Sequence, residues 1–171
     1  EPLLLMLYGG GRHLEDLREI GEDKALKRLL KLKQMPASST VGDWLVRMGQ
    51  KGGEKGLEEI NRKVVEQVLG RDERDGYILD VDATVIEAEK EEAKWTYKKV
   101  KGYQPILAFL AETPLCLTYE FREGNVSAGA FAIRFLEKCK GALPSGKSIT
   151  HLRSDSAFYQ AEVINWLIKN G

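Results

Sequence analysis

Apolar positions along this chain follow two periods. Up to residue 70 they recur every three or four residues; beyond it they alternate or run together. The first pattern belongs to helices and the second to strands, because side chains return to one face about every 3.6 residues in a helix and about every two in a strand. After an apolar start, Leu3 to Tyr8, Gly9-Gly10-Gly11 breaks regular structure, and Leu14, Leu17 and Ile20 predict a short amphipathic helix. A second helix is expected from about Asp23 to Gln34, with Leu26, Leu29 and Leu30 inward and Lys24, Lys27, Arg28 and Lys31 on a basic side. Pro36 follows its end. Ser38-Ser39-Thr40 offers N-cap hydroxyls to a third helix carrying Trp44, Leu45 and Met48, which Gly49 would close. Gln50 to Gly56 reads as a linker, and Leu57, Ile60, Val64 and Val68 mark a further helix ended by Gly70.

Beyond the charged Arg71 to Asp75 the pattern changes to strands. Tyr77 to Val85 is an apolar run interrupted by Asp80 and Asp82. Glu87 to Lys94 is a dense Glu/Lys run that reads as a solvated helix face. Ile106 to Ala111 and Leu115 to Phe121 read as antiparallel neighbours, and Glu123-Gly124-Asn125 as a turn. Ser127 would cap a helix bearing Ile133, Phe135, Leu136 and Cys139, followed by a strand from Ser148 to Arg153 and a terminal helix with Tyr159, Val163, Trp166 and Leu167 on one side. The expected architecture is α+β: a helical region over 1–70, with a possible helix-turn-helix, followed over 71–171 by a partial, ribonuclease-H-like mixed sheet with flanking helices.

Composition narrows the partners. The 171 residues carry 26 basic and 26 acidic side chains, so any attraction to a polyanion has to be local. The basic side formed by Lys24, Arg28 and Lys31 suits a DNA reader and equally an ordinary helical bundle with a solvated lysine face. The opening apolar run is far too short to span a bilayer and lacks a signal peptide's flanks, so a cytoplasmic protein without membrane contact is expected. Cys116 and Cys139 lack metal-ligand or CxxC spacing and read as packed, inert thiols.

The candidate chemistry lies in the carboxylates. Along a strand Asp80, Asp82 and Thr84 share one face, with the two acids roughly 7 Å apart. Gly141 to Ser148 satisfies the P-loop pattern GxxxxGK[ST], but a helix precedes it and a strand follows, the reverse of what phosphate binding needs. Asp80-Val81-Asp82-Ala83-Thr84 also resembles the first motif of haloacid-dehalogenase-like phosphatases, in which Asp80 would be the nucleophile; the later paired acids of that family are lacking. The preferred reading takes Asp82 on the first strand and Asp155 at the end of a later one. The strand order sets these side by side, where two carboxylates can hold divalent metals for phosphodiester chemistry.

Four segments carry a wider resemblance: Leu79 to Thr84, Gly102-Tyr103-Gln104-Pro105, Glu123-Gly124-Asn125, and Leu152 to Phe158. Together with Gly9-Gly10, Leu14 to Leu17 and Pro36 to Thr40, they resemble bacterial insertion-sequence transposases of the DDE type. The resemblance implies metal-dependent cleavage and strand transfer at insertion-sequence ends. It implies two Mg2+ or Mn2+ ions, held by Asp82 and Asp155 as catalytic acids, with Asp80 and Arg153 in support. Arg153 would meet a phosphate or pair with an acid. The partners implied are DNA, contacted by Lys24, Arg28 and Lys31, and further copies of the chain on it, in a bacterial, nucleoid-associated setting. The family's third carboxylate, a Glu on a helix after a further strand, has no counterpart here; Glu162 lies too soon after Asp155. The chain is therefore expected to be an incomplete catalytic domain, inactive alone, and a non-catalytic DNA-binding remnant is the alternative.

Overall fold

The computed structural model describes residues 2–170. Two compact units divide the chain, Glu1–Leu57 and Glu58–Gly171. The residue at which the domain boundary was expected, Gly70, directly follows the helix Gly53–Leu69.

The first unit contains α1 (Pro2–Tyr8), α2 (Leu17–Glu22), α3 (Lys24–Leu29) and α4 (Ser38–Gln50). Its core is small: Met6, Leu17 and Val41 are buried, with Leu3, Leu14, Ile20 and Met35 packed around them. The α3 helix is much shorter than the expected 23–34. Asp23 starts it by accepting the Leu26 N–H at 2.9 Å, and Lys31, in the left-handed region at φ 54, lies just past its end. Leu29 and Leu30, expected inward, are exposed, as are Trp44 and Leu45 of α4. The N-cap of α4 is Ala37, with no side-chain hydrogen bond, so the Ser38–Thr40 hydroxyls do not cap it. The expected linker shrinks to Lys51-Gly52, where Gly52 turns the chain at φ 73, because α5 (Gly53–Leu69) begins inside it.

In the second unit α5 buries Val65 and Leu69. The residues that signalled this helix, Leu57, Ile60, Val64 and Val68, stay exposed on the adjoining face. Asn61 fastens the helix to the sheet by donating to the carbonyls of Cys116 and Leu117, each at 3.1 Å.

The main sheet comprises β1 (Gly76–Ala83), β5 (Ile106–Leu110), β6 (Cys116–Glu120) and β7 (Ser148–Ser154), in the order β6-β5-β1-β7. β1 runs antiparallel to β5 and parallel to β7, and β5 antiparallel to β6, which makes the sheet mixed and the fold α+β. Alternation along β1 sends Tyr77, Leu79 and Val81 into the core and leaves Asp80 and Asp82 on the other face. The buried side packs against Phe135, Leu136 and Cys139 of α6 (Ala132–Ala142) and Val163 of α7 (Ala161–Asn170). Burial pushes the Cys139 thiol up to about 12, and the Cys116 thiol also rises through burial, in keeping with inert cysteines.

A second, small sheet had no counterpart in the expected elements. β2 (Ile86–Glu87), β3 (Lys94–Trp95) and β4 (Lys101–Tyr103) pair antiparallel in the order β2-β4-β3. The Glu87–Lys94 run is thus no helix face but strand and turn. Tyr159, assigned to the last helix, precedes it and is exposed.

Candidate active site

The parallel ladder between β1 and β7 brings the candidate residues together. Asp80 is opposite Arg153 and Val81 opposite Ser154. The next positions are Asp82 and Asp155, on strands about 4.8 Å apart. Asp155 lies just past β7 with its backbone still extended, at φ −73 and ψ 177. Two successive rows on one face therefore carry opposite chemistry. In the first, Arg153 Nε and Nη2 donate to Asp80 Oδ1 and Oδ2, an ion pair whose carboxylate raises the Arg153 guanidinium above its ordinary value. In the second, the next positions along the two strands are both acids, Asp82 near the end of β1 and Asp155 just past β7.

The open row is prepared differently on its two sides. Asp82 is exposed, and no side-chain hydrogen bond or ion pair engages it among the described residues. Asp155 is oriented: as the N-cap of the turn Ser156–Phe158 it accepts the Ala157 N–H on Oδ1 at 3.0 Å. Beside it an open depression is lined by Arg153, Ser154, Tyr159 and Ile164.

A hydrogen-bonded loop links the supports of these two acids. Thr84 N–H, two residues past Asp82, donates to the Pro105 carbonyl at 3.1 Å. The neighbouring Gln104 carbonyl accepts from Arg122 Nε at 3.0 Å, and Arg122 Nη1 reaches the Ala128 and Ala130 carbonyls at 3.3 Å each. Between these, the Gly129 carbonyl accepts from Gln160 Nε2 at 3.1 Å, and the same nitrogen reaches the Ala157 carbonyl at 2.7 Å. Gly129 has to be glycine: a Cβ there would lie 2.2 Å from both the Ala157 oxygen and Gln160 Nε2. The loop thus braces the end of β1 against the turn that aims Asp155. Desolvation lowers the pKa of the buried Arg122 guanidinium, which faces carbonyls rather than a carboxylate.

Of the residues expected from sequence, Asp80 and Arg153 pair across the β1–β7 ladder, Asp82 lies on the Asp80 face of β1, and Asp155 lies just past the end of β7. Lys24, Arg28 and Lys31 are exposed on or just after α3 in the other unit. Arg122, Gly129 and Gln160 were missed. Gln104 fell within a quoted segment, but its role was invisible because the group that Arg122 contacts is a backbone carbonyl. The P-loop-like lysine is otherwise engaged: Lys147 Nζ donates to the Asp72 carbonyl at 2.7 Å and the Arg74 carbonyl at 2.5 Å.

The open row offers hard carboxylate oxygens, the donor type that Mg2+ and Mn2+ prefer. Like charges at adjoining ladder positions repel, and a cation between them removes that cost. Two acids are fewer than a closed metal cage: among the described residues no group of three or more His, Cys, Asp or Glu side chains gathers to hold an ion. Among the described residues no helix is long and apolar enough to cross a membrane.

The family model described as transposase DDE domain group 1 matches residues 2–171. The search of curated proteins and the search of solved structures each gave no match.

Proposed function

We propose, from the premise that a match over residues 2–171 places this chain in the transposase DDE domain group 1 family, that it supplies two of the acids that cleave and join DNA at insertion-sequence ends. The family carries the coarse statement, a transposase acting on DNA. The single observation supporting the finer one is a contrast along the two strands: Asp80 is paired with Arg153, whereas Asp82 and Asp155, further along the same two strand directions, have no basic partner among the described residues.

In this reading Asp82 and Asp155 are the catalytic acids that hold the divalent metal. The Ala157 N–H fixes one oxygen of Asp155 and leaves the other for the ion. A bound Mg2+ or Mn2+ pair would polarise the scissile phosphate, lower the pKa of the attacking hydroxyl and stabilise the leaving oxygen. Asp80 supports the site by holding Arg153 on the same face, the position from which a guanidinium can meet the phosphate backbone. The strand order, an antiparallel trio with a parallel neighbour beside the first strand, supports the ribonuclease-H-like reading. It argues against the phosphatase alternative, as does the engagement of Asp80, its would-be nucleophile, by Arg153. Lys24, Arg28 and Lys31 are proposed to contact the DNA backbone from the first unit, in a protein that self-associates on DNA and works in the bacterial cytoplasm. The domain division proposed for function stays at 1–70 and 71–171.

The family resemblance calls for a third carboxylate, and with two acids the 171-residue chain in isolation is expected neither to cleave nor to join DNA. Mg2+- or Mn2+-dependent strand transfer by it alone would overturn that expectation. Within a complete, active transposase containing this sequence, Asp82→Asn and Asp155→Asn should each lower cleavage by at least about a thousandfold, the scale on which loss of a transition-state charge interaction is felt. Full cleavage by either variant would refute the assignment. Mn2+ binding by the isolated chain, followed by electron paramagnetic resonance, should weaken in both variants. DNA binding that survives either change, with no cleavage in any context, would favour the non-catalytic remnant.

A further inference from the structure

The small sheet exposes aromatic side chains in a way that packing does not explain. The turn joining β3 to β4 is closed by the Lys99 N–H to the Thr96 carbonyl at 3.0 Å and by the Thr96 N–H and Oγ1 to the Val100 carbonyl, each at 2.9 Å. Thr96 is buried, so its neighbours are turned outward: Trp95 is 64% exposed and Tyr97 69%. Lys98 Nζ sits 5.8 Å from the Tyr97 ring centroid, and Lys99 holds φ 60 at the tip. Exposing a Trp and a Tyr side by side leaves substantial apolar surface in water and gains no folding stability.

Charge supplies the second observation. Residues 94–101 contain Lys94, Lys98, Lys99 and Lys101 and no acid. Of the preceding acids Glu87, Glu89, Glu91 and Glu92, the first three line a separate depression with Lys90 and Lys101, and among the described residues no ion pair engages Lys98 or Lys99 at the tip. Trp95 pairs with Lys101 in the ladder, so ring and ammonium emerge on one face. Aromatic faces interleaved with lysines are the footprint of a single nucleic-acid strand, in which bases stack on rings and phosphates meet cations. An apolar protein partner would require neither lysine.

Position is the third. The small sheet begins at Ile86, just past the strand that carries Asp82, and the Thr84 to Pro105 hydrogen bond ties its root to β5. We propose that the Trp95–Lys101 hairpin holds unpaired nucleotides of a DNA strand, stacking bases on Trp95 and Tyr97 and placing phosphates on Lys98 and Lys99. As the guide to the cleavage site it rests on the reading of Asp82 and Asp155 given above; as a strand-binding site it stands on the hairpin alone.

The test uses the full chain and a fluorescein-labelled thymidine 20-mer in EDTA, so that no metal or cleavage enters. Trp95→Ala should weaken binding about tenfold, and Tyr97→Ala somewhat less. Lys98→Gln with Lys99→Asn, the latter chosen because Asn tolerates the left-handed backbone, should flatten the salt dependence by about 0.7 per lost contact, about 1.4 for both. All four side chains are exposed, and an unchanged circular dichroism spectrum would show that the variants fold. Binding and salt slope unchanged in the variants would overturn the proposal. So would a loss of self-association in Trp95→Ala with 20-mer affinity intact, which would make the face a protein contact. Cleavage by an Asp82→Asn transposase would refute the metal site without touching the hairpin, so the two failures are distinguishable.

Discussion

The two units stand in contrast. In the first, Met6, Leu17 and Val41 are the buried core residues, and Leu29, Trp44, Leu45 and Val46 remain in water. In the second, three helices and a four-stranded sheet enclose a continuous core running from Val65 and Leu69 through Tyr77, Leu79 and Ile106 to Phe135, Leu136 and Val163. Helices as short as α2 and α3 do not persist on local hydrogen bonds alone, because helix nucleation costs more than six residues return. The first unit therefore depends on few apolar contacts. Under the proposed function, the second unit would have to hold two acids in fixed register, and rigidity there would have a chemical use.

The comparison is broken most directly by removing a core ring. Phe135→Ala should cost about 3 to 5 kcal/mol, since Phe135 is buried against the sheet and the space it leaves cannot collapse fully. Amide hydrogen exchange should then accelerate across β1 and β5 while the first unit's amides stay as they were. Equal acceleration in both units would show that they unfold together and that the contrast has no energetic meaning.

Arg122 tests whether rigidity in the second unit serves the acids. Arg122→Ala leaves the carbonyls of Gln104, Ala128 and Ala130 without their donor. The expected loss is about 3 kcal/mol, from buried acceptors left unpaired. Arg122→Lys keeps the charge but not the fork, and should recover only part of it. If the loop braces Asp155 against β1, both variants should also weaken Mn2+ binding by the folded protein. Stability loss with Mn2+ affinity unchanged would leave Arg122 a purely structural residue.

In the first unit the matching change is smaller. Val41→Ala removes two buried methyl-sized groups at about 0.8 kcal/mol each, so about 1.5 kcal/mol is at stake. Because that core is small, this should release exchange protection throughout α2 and α4. Protection retained there after the change would mean that contacts other than the Val41 cluster hold the unit.

The same contrast governs what the residues disclose. The placement of Asp82 and Asp155 on neighbouring strand directions was legible because strand alternation and strand order are long-range rules written in local pattern, and both rules act on the well-packed unit. In the first unit the apolar spacing of Leu29, Leu30, Trp44 and Leu45 announced helices correctly, yet pointed these side chains inward, since periodicity gives a face and not its neighbour. The small sheet escaped because Glu87 to Lys94 carries charges at helical spacing, while its actual conformation follows from close backbone approach. At Gly102 a Cβ would lie 2.1 Å from the Ile86 oxygen, so only glycine admits the β2 to β4 pairing. Arg122 and Gln160 left no trace in sequence, because their partners are backbone carbonyls that every residue possesses.

The smallest expected effect concerns acid stability just ahead of β1. Asp72 accepts from Arg74 Nη2 at 2.7 Å and from its backbone N–H at 3.0 Å, and these bonds hold its carboxyl down at about 2. A carboxyl with a depressed folded pKa stabilises the fold above its unfolded value, near 3.8, and that contribution is lost as pH falls through the folded one. The affected window is thus about pH 4 down to 2, and at neutral pH the contribution is fully present. The same turn holds Lys147 through the Asp72 and Arg74 carbonyls, so it fixes where β1 and β7 begin side by side. Asp72→Asn should lower the thermal midpoint slightly at pH 7, and the gap between variant and parent should close as pH is lowered from 4 to 2. A gap that persists at pH 2 would mean that Asp72 acts through its shape and not its charge. The start of the β1–β7 ladder, at Gly76 opposite Ser148, would then owe nothing to this ion pair.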